Sequence, residues 1–212
     1  MHELNRTQSQ QEYDRLAPEY DRRWRPYIDA TLRLVTDALS LRGDERILDV
    51  PCGTGELEQR LLARYPLLSM VGVDISAVML TRAASKNAAE HSDWIHSDVC
   101  HLPFADESFD YVICANSFHY FPDALVALNE MKRVLRPAGS LVLLDWCDDF
   151  LACKLFSLWL HWTDPAFVQT YSLRSCRSLL QACGWQVADA ERFRVGWIWG
   201  LMRIVCRCVF PT

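Results

Sequence analysis

Four short apolar runs, residues 46–50 (RILDV), 69–73 (SMVGV), 110–115 (DYVICA) and 140–146 (SLVLLDW), are separated by stretches with apolar residues at helical spacing. Runs this short and this apolar suit strands buried on both faces, and a parallel sheet covered by helices on both sides buries such strands. The chain therefore reads as an α/β protein made of βαβ units. Its punctuation agrees. Ser76 stands as an N-cap before 77–90, Pro122 sits in the first turn of the next helix, Arg136-Pro137-Ala138-Gly139 turn the chain back, and a helix over 172–183 stops at Gly184. Two further strands, over 185–192 and 200–209, bring those located to six, and the sheet expected is seven-stranded with an antiparallel last hairpin. Ahead of the first strand, residues 12–41 predict one or two helices interrupted at Pro26, with Leu32, Val35 and Leu39 on one side and Gly43 as the stop.

With 212 residues, half of them hydrophobic, the chain is sized for one domain with a substantial core. Its formal net charge of −5 argues against affinity built on neutralising phosphates, so nucleic acid is not an expected partner. The charge is uneven: residues 1–150 hold 15 basic and 24 acidic groups, a net −9, whereas residues 151–212 hold 7 and 3, a net +4. Nine cysteines without C-x-x-C or zinc-ligand spacing, Cys52, Cys114, Cys147 and Cys183 lying in apolar runs, read as reduced thiols, with no metal expected. The opening MHELNRTQSQQEYDR has no signal-peptide pattern, and the uncharged run between Lys154 and Asp164 falls far short of the ~20 residues that span a bilayer. A soluble, cytoplasmic protein is the expectation.

The most informative local segment is ILDVPCGTGELEQRL, residues 47–61. A strand ends at Asp49, a tight loop holds Gly53 and Gly55, and a helix opens at once, so backbone and a helix N-terminus can approach a ligand closely. A dinucleotide site would want G-x-G-x-x-G followed by an acid ~20 residues on. Asp74 meets the second condition, but Pro51 occupies the first glycine position and Leu57 the place of the third small residue.

ILDVPCGTG, VGVDIS, SDVCHLPFADESFDYVICANSFHYF and EMKRVLRPAGSLVLLDW resemble, in order and spacing, the successive motifs of class I S-adenosylmethionine-dependent methyltransferases. Among these, the chain is similar to the type 11 branch that includes the ubiquinone and menaquinone methyltransferases, whose N-terminal helical signature resembles YDRLAPEYDRRW, residues 13–24. The resemblance runs from 13 to 146. It implies a Rossmann-like seven-stranded class I methyltransferase sandwich with an N-terminal helical lid: lid 1–42, cofactor-binding core 43–146, substrate-side insertion 147–171, and a C-terminal helix and strand pair 172–212.

The resemblance also implies roles. Asp49 matches the acid that holds the methionine amino group. Pro51, Cys52, Gly53, Thr54 and Gly55 form the loop under the methionine carboxyl and ribose, with Pro51 where the family usually has Gly or Ala. Asp74 matches the acceptor of both ribose hydroxyls, a charge-assisted pair, beside Ser76. Ile75 and Val99 flank the adenine and Asp98 accepts its exocyclic amine. Asn116 borders the sulfonium, and Tyr13 and Tyr20 close over the cofactor from the lid. The ANSF at 115–118 differs from the [DN]PP[YF] of base-amino methyltransferases acting on nucleic acid.

Methyl transfer from a cationic sulfur needs alignment and dryness more than activation, and a base only if the nucleophile must lose a proton. His119, His161 and Tyr20 are the candidate catalytic groups. On the substrate side, Phe118, Trp146, Phe150, Trp159, Trp162, Trp197 and Trp199 with Ile198 suggest a small lipophilic or aromatic acceptor, and their basic surroundings suggest transient membrane-surface contact. Two alternatives stay open: thiol or metalloid methylation through Cys147, Cys153 or Cys176, and a non-catalytic S-adenosylmethionine-binding regulatory subunit.

Overall fold

The computed structural model describes residues 2–87, 92–164, 166–197 and 199–208. Seven strands, β1 (Arg46–Asp49), β2 (Ser69–Asp74), β3 (Ser92–His96), β4 (Phe109–Ala115), β5 (Leu135–Trp146), β6 (Gln186–Val195) and β7 (Trp199–Arg207), form one sheet in the order β3-β2-β1-β4-β5-β7-β6. The first five are parallel, and β7 runs antiparallel to both β5 and β6. Neighbouring residues of the central strands serve opposite faces: Leu48, Val112, Leu141 and Leu143 join one core layer, while Ile47, Ile113, Val142 and Leu144 join the other. Helix α5 (Ala124–Val134) and helix α7 (Leu173–Ala182) supply Leu128, Met131 and Leu180 to the first layer. The lid helix α2 (Tyr20–Thr36) and helix α3 (Glu56–Arg64) supply Leu32, Val35, Leu57 and Leu61 to the second.

The seventh strand is the one the apolar runs do not reveal. β3 is an edge strand, half exposed along its length, and its SDWIH has too little apolar character to stand out. The turn expected at 136–139 lies inside β5. Phe109 pairs with Leu135 and Tyr111 with Ser140, so residues 136–139 bulge out of register, with Ala138 at φ +65°.

The N-terminal expectation needs correction. Helix α1 (His2–Leu16) begins well before residue 12, and the break falls at the single turn Ala17–Glu19, where Pro18 needs no N–H partner. Pro26 lies inside α2 instead, because Ile28, Thr31, Leu32 and Val35 are buried beyond it and their packing outweighs the lost hydrogen bond. Pro122 likewise precedes the N-cap: Asp123 caps α5 by accepting from the Val126 N–H at 3.1 Å. Ser76 does cap helix α4 (Ala77–Lys86), and Ser172 caps α7. The long 147–171 connection is tied back by a Cys147–Tyr171 bridge and contains helix α6 (Leu151–Thr163). Ile198 and residue 209 lie outside the described residues.

Candidate functional site

Strand order reverses between β1 and its neighbours β2 and β4, and the carboxyl ends of these strands open onto a crevice where ligands bind in open α/β sheets. A cavity of about 150 Å³ occupies that place. Asp49 reaches it from the end of β1, Asp74, Ile75 and Ser76 from the end of β2, and Asp98 and Val99 from the loop after β3. Asn116 and Ser117 enter after β4, and Pro51, Cys52, Gly53 and Thr54 come from the first loop. Lid residues Tyr13, Tyr20, Ile28, Thr31 and Leu32 close it, with Tyr120, Phe121 and Pro122 opposite.

The first loop is held tightly. The Val50 N–H donates to the Ile113 carbonyl and the Cys52 N–H to the Val73 carbonyl, both at 2.9 Å, so it stays fastened to both neighbouring strands. The Gly53 N–H donates to Asp74 Oδ2 at 2.9 Å and the Ser76 N–H to Oδ1 at 2.8 Å. Each carboxylate oxygen keeps a second lone pair for a ligand hydroxyl. Gly55 does not line the cavity wall, yet only glycine fits there. Its φ is +72°, and an added Cβ would lie 2.8 Å from both Asn87 Nδ2 and the Trp94 ring.

Four carboxylates, Asp49, Glu56, Asp74 and Asp98, border the cavity, and no Lys or Arg does so among the described residues. Burial pushes Asp74 up to about 6 against the pull of its backbone N–H donors. Burial also raises Asp49 well above the usual carboxylate range, assisted by Glu58 and Asp74. Glu58 lies just beneath on α3, fully buried, both oxygens without a hydrogen-bond partner, and burial pushes it up to about 8. Such a wall favours a cationic ligand, which would return these acids to their charged forms, and disfavours a pyrophosphate.

The lid is latched by charge. Lys86 Nζ at the end of α4 lies 2.7 Å from Asp21 Oδ2 and 2.8 Å from Glu56 Oε1, and Arg25 Nη1 meets the other Glu56 oxygen at 2.6 Å. Asp21 also accepts from the Thr54 hydroxyl, and Asp14 of α1 from the Ser76 hydroxyl. Sequence reasoning missed Lys86, Arg25, Asp21 and Asp14, which are ordinary surface charges until the lid is laid across the loop.

Two candidate catalytic residues stand away from the cavity. His119 is buried in the turn Phe118–Tyr120. Its ring Nδ1 lies 2.6 Å from Asp145 Oδ1, its backbone N–H donates to Asp145 Oδ2 at 2.7 Å, and its ring stacks on Trp146 at 4.1 Å. Its Nε2 is buried with no hydrogen-bond partner among the described residues, and the ring does not border the cavity. His161 is exposed on the outer side of α6, its ring 6.3 Å from Phe167. Tyr20 alone of the three lines the cavity, with burial raising its hydroxyl to about 12.

The substrate-side aromatics divide three ways. Phe118 is core, packed against Phe121 and Tyr171. Phe150 caps α6 and lies across Gly200. Trp146 and Trp199 form a stack 5.2 Å apart, joined by Tyr27, Trp24 and Phe156. Trp159, Trp162 and Trp197 point outward, 56%, 88% and 97% exposed. The inner stack meets the cavity through a hydrogen-bonded chain. Trp146 Nε1–H donates to the Tyr27 hydroxyl and that hydroxyl to Asn116 Oδ1, both at 2.8 Å, while Asn116 Nδ2 donates to Thr31 Oγ1 at 3.2 Å. Tyr27, Thr31 and Tyr120 are contributors that no sequence motif marked.

Residues 48–143 match the family model described as a methyltransferase domain, type 11. A demethylmenaquinone methyltransferase of Staphylococcus aureus is 36% identical over 138 residues, 63% of this chain and 57% of that protein, so the chain spans a little over half the length of the curated relatives it matches. A chain from a complex that contains the Haloferax volcanii Trm112 methyltransferase activator superposes with a TM-score of 0.84 at 17% identity, covering 94% of this chain and 98% of that one. The YcgJ protein of Bacillus subtilis gives 0.72 at 20% identity over 86% of this chain and 100% of that one. These two likenesses concern the fold; the family match covers residues 48–143, so it is this segment, with the cavity at its strand ends, that is similar to the class I methyltransferases of the type 11 branch.

Proposed function

We propose that the protein transfers a methyl group from S-adenosylmethionine to a small lipophilic or aromatic acceptor. The observation that carries this reading is the cavity wall: four carboxylates, no Lys or Arg among the described residues, and free acceptor capacity on Asp74. When bound, the cofactor supplies a methyl carbon already activated by a cationic sulfur. Asp74 would accept the ribose hydroxyls and Asp49 the amino group, with Asp98 and the Val99 backbone at the adenine. Tyr13, Tyr20 and Tyr120 line the cavity as one cluster of rings, which would exclude water and offer aromatic quadrupoles to a cation. Burial raises all three hydroxyls, so the rings stay neutral at physiological pH.

The acceptor half of the proposal rests on the stack behind Asn116. Trp146 and Trp199, nearly parallel, with Phe156 and Trp24 edge-on and Tyr27 tilted against them, give an apolar aromatic wall with a hydroxyl at its inner end, suited to an aromatic ring system. The menaquinone precursor named for the Staphylococcus relative belongs to that chemical class. Nothing favours the thiol or metalloid alternative: Cys147, Cys153 and Cys176 are buried and none borders the cavity. Within this reading, residues 1–42 act as lid, 43–146 as cofactor core, 147–171 as the acceptor-side insertion and 172–212 as the closing helix and strand pair. None of the nine cysteines is in a disulfide, which fits a reducing, cytoplasmic setting.

Incubation with isotope-labelled S-adenosylmethionine and fractionated lipophilic metabolites, followed by mass analysis, tests the proposal. A labelled aromatic product supports it. Tight cofactor binding with no label transferred to any fraction would favour the regulatory-subunit reading, and no cofactor binding would sink both.

A further inference from the structure

Helix α6 has two unlike faces. Inward, Cys153 and Leu160 are buried and Phe156 packs edge-on against both Trp146 and Trp199, so this face belongs to the acceptor wall. Outward, Leu151, Leu155, Leu158, Trp159 and Trp162 fall at i, i+4, i+7, i+8 and i+11, one stripe of a helix, and each is more than half exposed. The tip of the β6–β7 hairpin stands beside the helix, since Gly200 N–H lies 3.1 Å from Cys153 Sγ, and it carries Trp197, almost fully exposed. A monomeric water-facing surface has no reason to gather leucines and tryptophans in one stripe.

Charge narrows the occupant. Helix α6 contains no carboxylate. Lys154 and Arg194, exposed at the helix and at the hairpin, form no ion pair among the described residues, Arg194 lying over the Phe150 ring at 5.5 Å. The neighbouring acids are engaged elsewhere: Asp149 with Arg192 and the Leu173 N–H, Asp164 with the Tyr120 hydroxyl and the Ala166 N–H. Asp148, half-buried at the start of the insertion, is the remaining one, close enough to feel the Lys154 charge without forming an ion pair with it among the described residues, so Arg194 and the outward reach of Lys154 carry the positive character of this face. Two copies meeting face to face would set Lys154 and Arg194 against their own kind. An anionic bilayer surface offers what this face lacks, with tryptophans at headgroup depth, leucines beneath and lysine or arginine on lipid phosphates. No helix of the described residues is long and apolar enough to cross a membrane, so the contact is one of lying on the surface.

We propose that the outer face of α6 and the β6–β7 hairpin tip form a docking surface for anionic lipid bilayers. The docking stands on the surface alone; its use, presenting a bilayer-dissolved acceptor to the aromatic wall on the other side of the same helix, rests on the methyl-transfer reading above.

The test is flotation of the full chain with phosphatidylcholine vesicles containing 30% phosphatidylglycerol, against pure phosphatidylcholine vesicles, at low and high salt. We expect flotation with the anionic vesicles, at least tenfold weaker for Trp162→Ser/Trp197→Ser, and weaker at high salt or for Lys154→Glu/Arg194→Glu. All four side chains are exposed, so circular dichroism and S-adenosylhomocysteine calorimetry should be unchanged in both variants, which separates failure of docking from failure of the cofactor reading. Absence of flotation overturns the proposal, as does flotation indifferent to both variants. So does a concentration-dependent dimer abolished by Trp162→Ser/Trp197→Ser without any vesicle binding.

Discussion

Glu58→Gln should make the protein more stable, by an amount that grows with pH. Glu58 is fully buried beneath the first loop, and neither oxygen has a hydrogen-bond partner. Burial is the main reason its carboxyl rises from 4.5 to about 8; nearby Asp74 adds to the rise, and the Lys86 charge and the pull of its own backbone N–H, too poorly placed for a hydrogen bond, oppose it. In the unfolded chain the same group ionises near its ordinary value. Between these two values the folded state holds a proton that the unfolded state has lost, so stability falls as pH climbs through that window. At about 1.4 kcal/mol per tenfold change in proton activity, the penalty is near zero at pH 4.5, about 3 kcal/mol at pH 7 and about 5 kcal/mol above pH 8. Glutamine has nearly the same shape and no charge to bury, so it removes the slope while keeping the packing. Urea denaturation of both proteins from pH 5 to 9, read as ΔG by linear extrapolation, measures the difference directly. Parallel ΔG–pH curves for wild type and variant would refute the reasoning, since they would mean that Glu58 titrates as if in water.

Asp74→Ala should raise the Kd for S-adenosylhomocysteine roughly 100-fold in calorimetry, from two lost charge-assisted bonds at about 1.5 kcal/mol each. In the wild type, affinity should fall as pH drops through about 6, because the raised Asp74 then holds a proton and loses its charge. Lys86→Ala removes the cation shared by Asp21 and Glu56. We expect cofactor dissociation to speed up by about tenfold in stopped-flow fluorescence, as suits a partly buried pair worth roughly 1–2 kcal/mol. Asp145→Ala leaves three donors unpaired, the His119 N–H, the His119 ring and the Trp146 N–H. Denaturation should show a loss of about 3–5 kcal/mol, as for other broken buried pairs.

The sheet was legible because its central strands are buried on both faces and so carry unbroken apolar runs; Leu48 and Ile47 point to opposite layers and both must be apolar. β3 escaped for the same reason turned round, since an edge strand has one face and one side to water and its Trp94 serves mainly to cover Gly55 and Gly72. The misplaced break in the lid came from weighing Pro26 by local propensity, when the residues beyond it are fastened into the core. For His119, position in a motif says which loop the residue occupies but not which way it faces, and here Asp145, at the end of β5, holds the ring inward.

The carboxylate wall of the cavity and the aromatic stack behind Asn116 differ in how they are encoded, and that difference says where each is adjustable. Asp49, Asp74 and the Gly53 loop lie within a few residues of strand ends, so local sequence places them. The aromatic stack and its hydrogen-bonded chain are assembled from Tyr27 on the lid, Asn116 after β4, Trp146 at the end of β5 and Trp199 at the start of β7, residues that meet only because the sheet order brings β7 beside β5. Asn116 sits at φ +60°, held from both ends by lid side chains, and it borders the cavity as well. A displacement of α2 must therefore move the hydroxyl of Tyr27 and release Asn116 together. Lid position, the aromatic stack and the inner edge of the cavity are thus one mechanical unit, joined through three hydrogen bonds that no single segment of the chain contains.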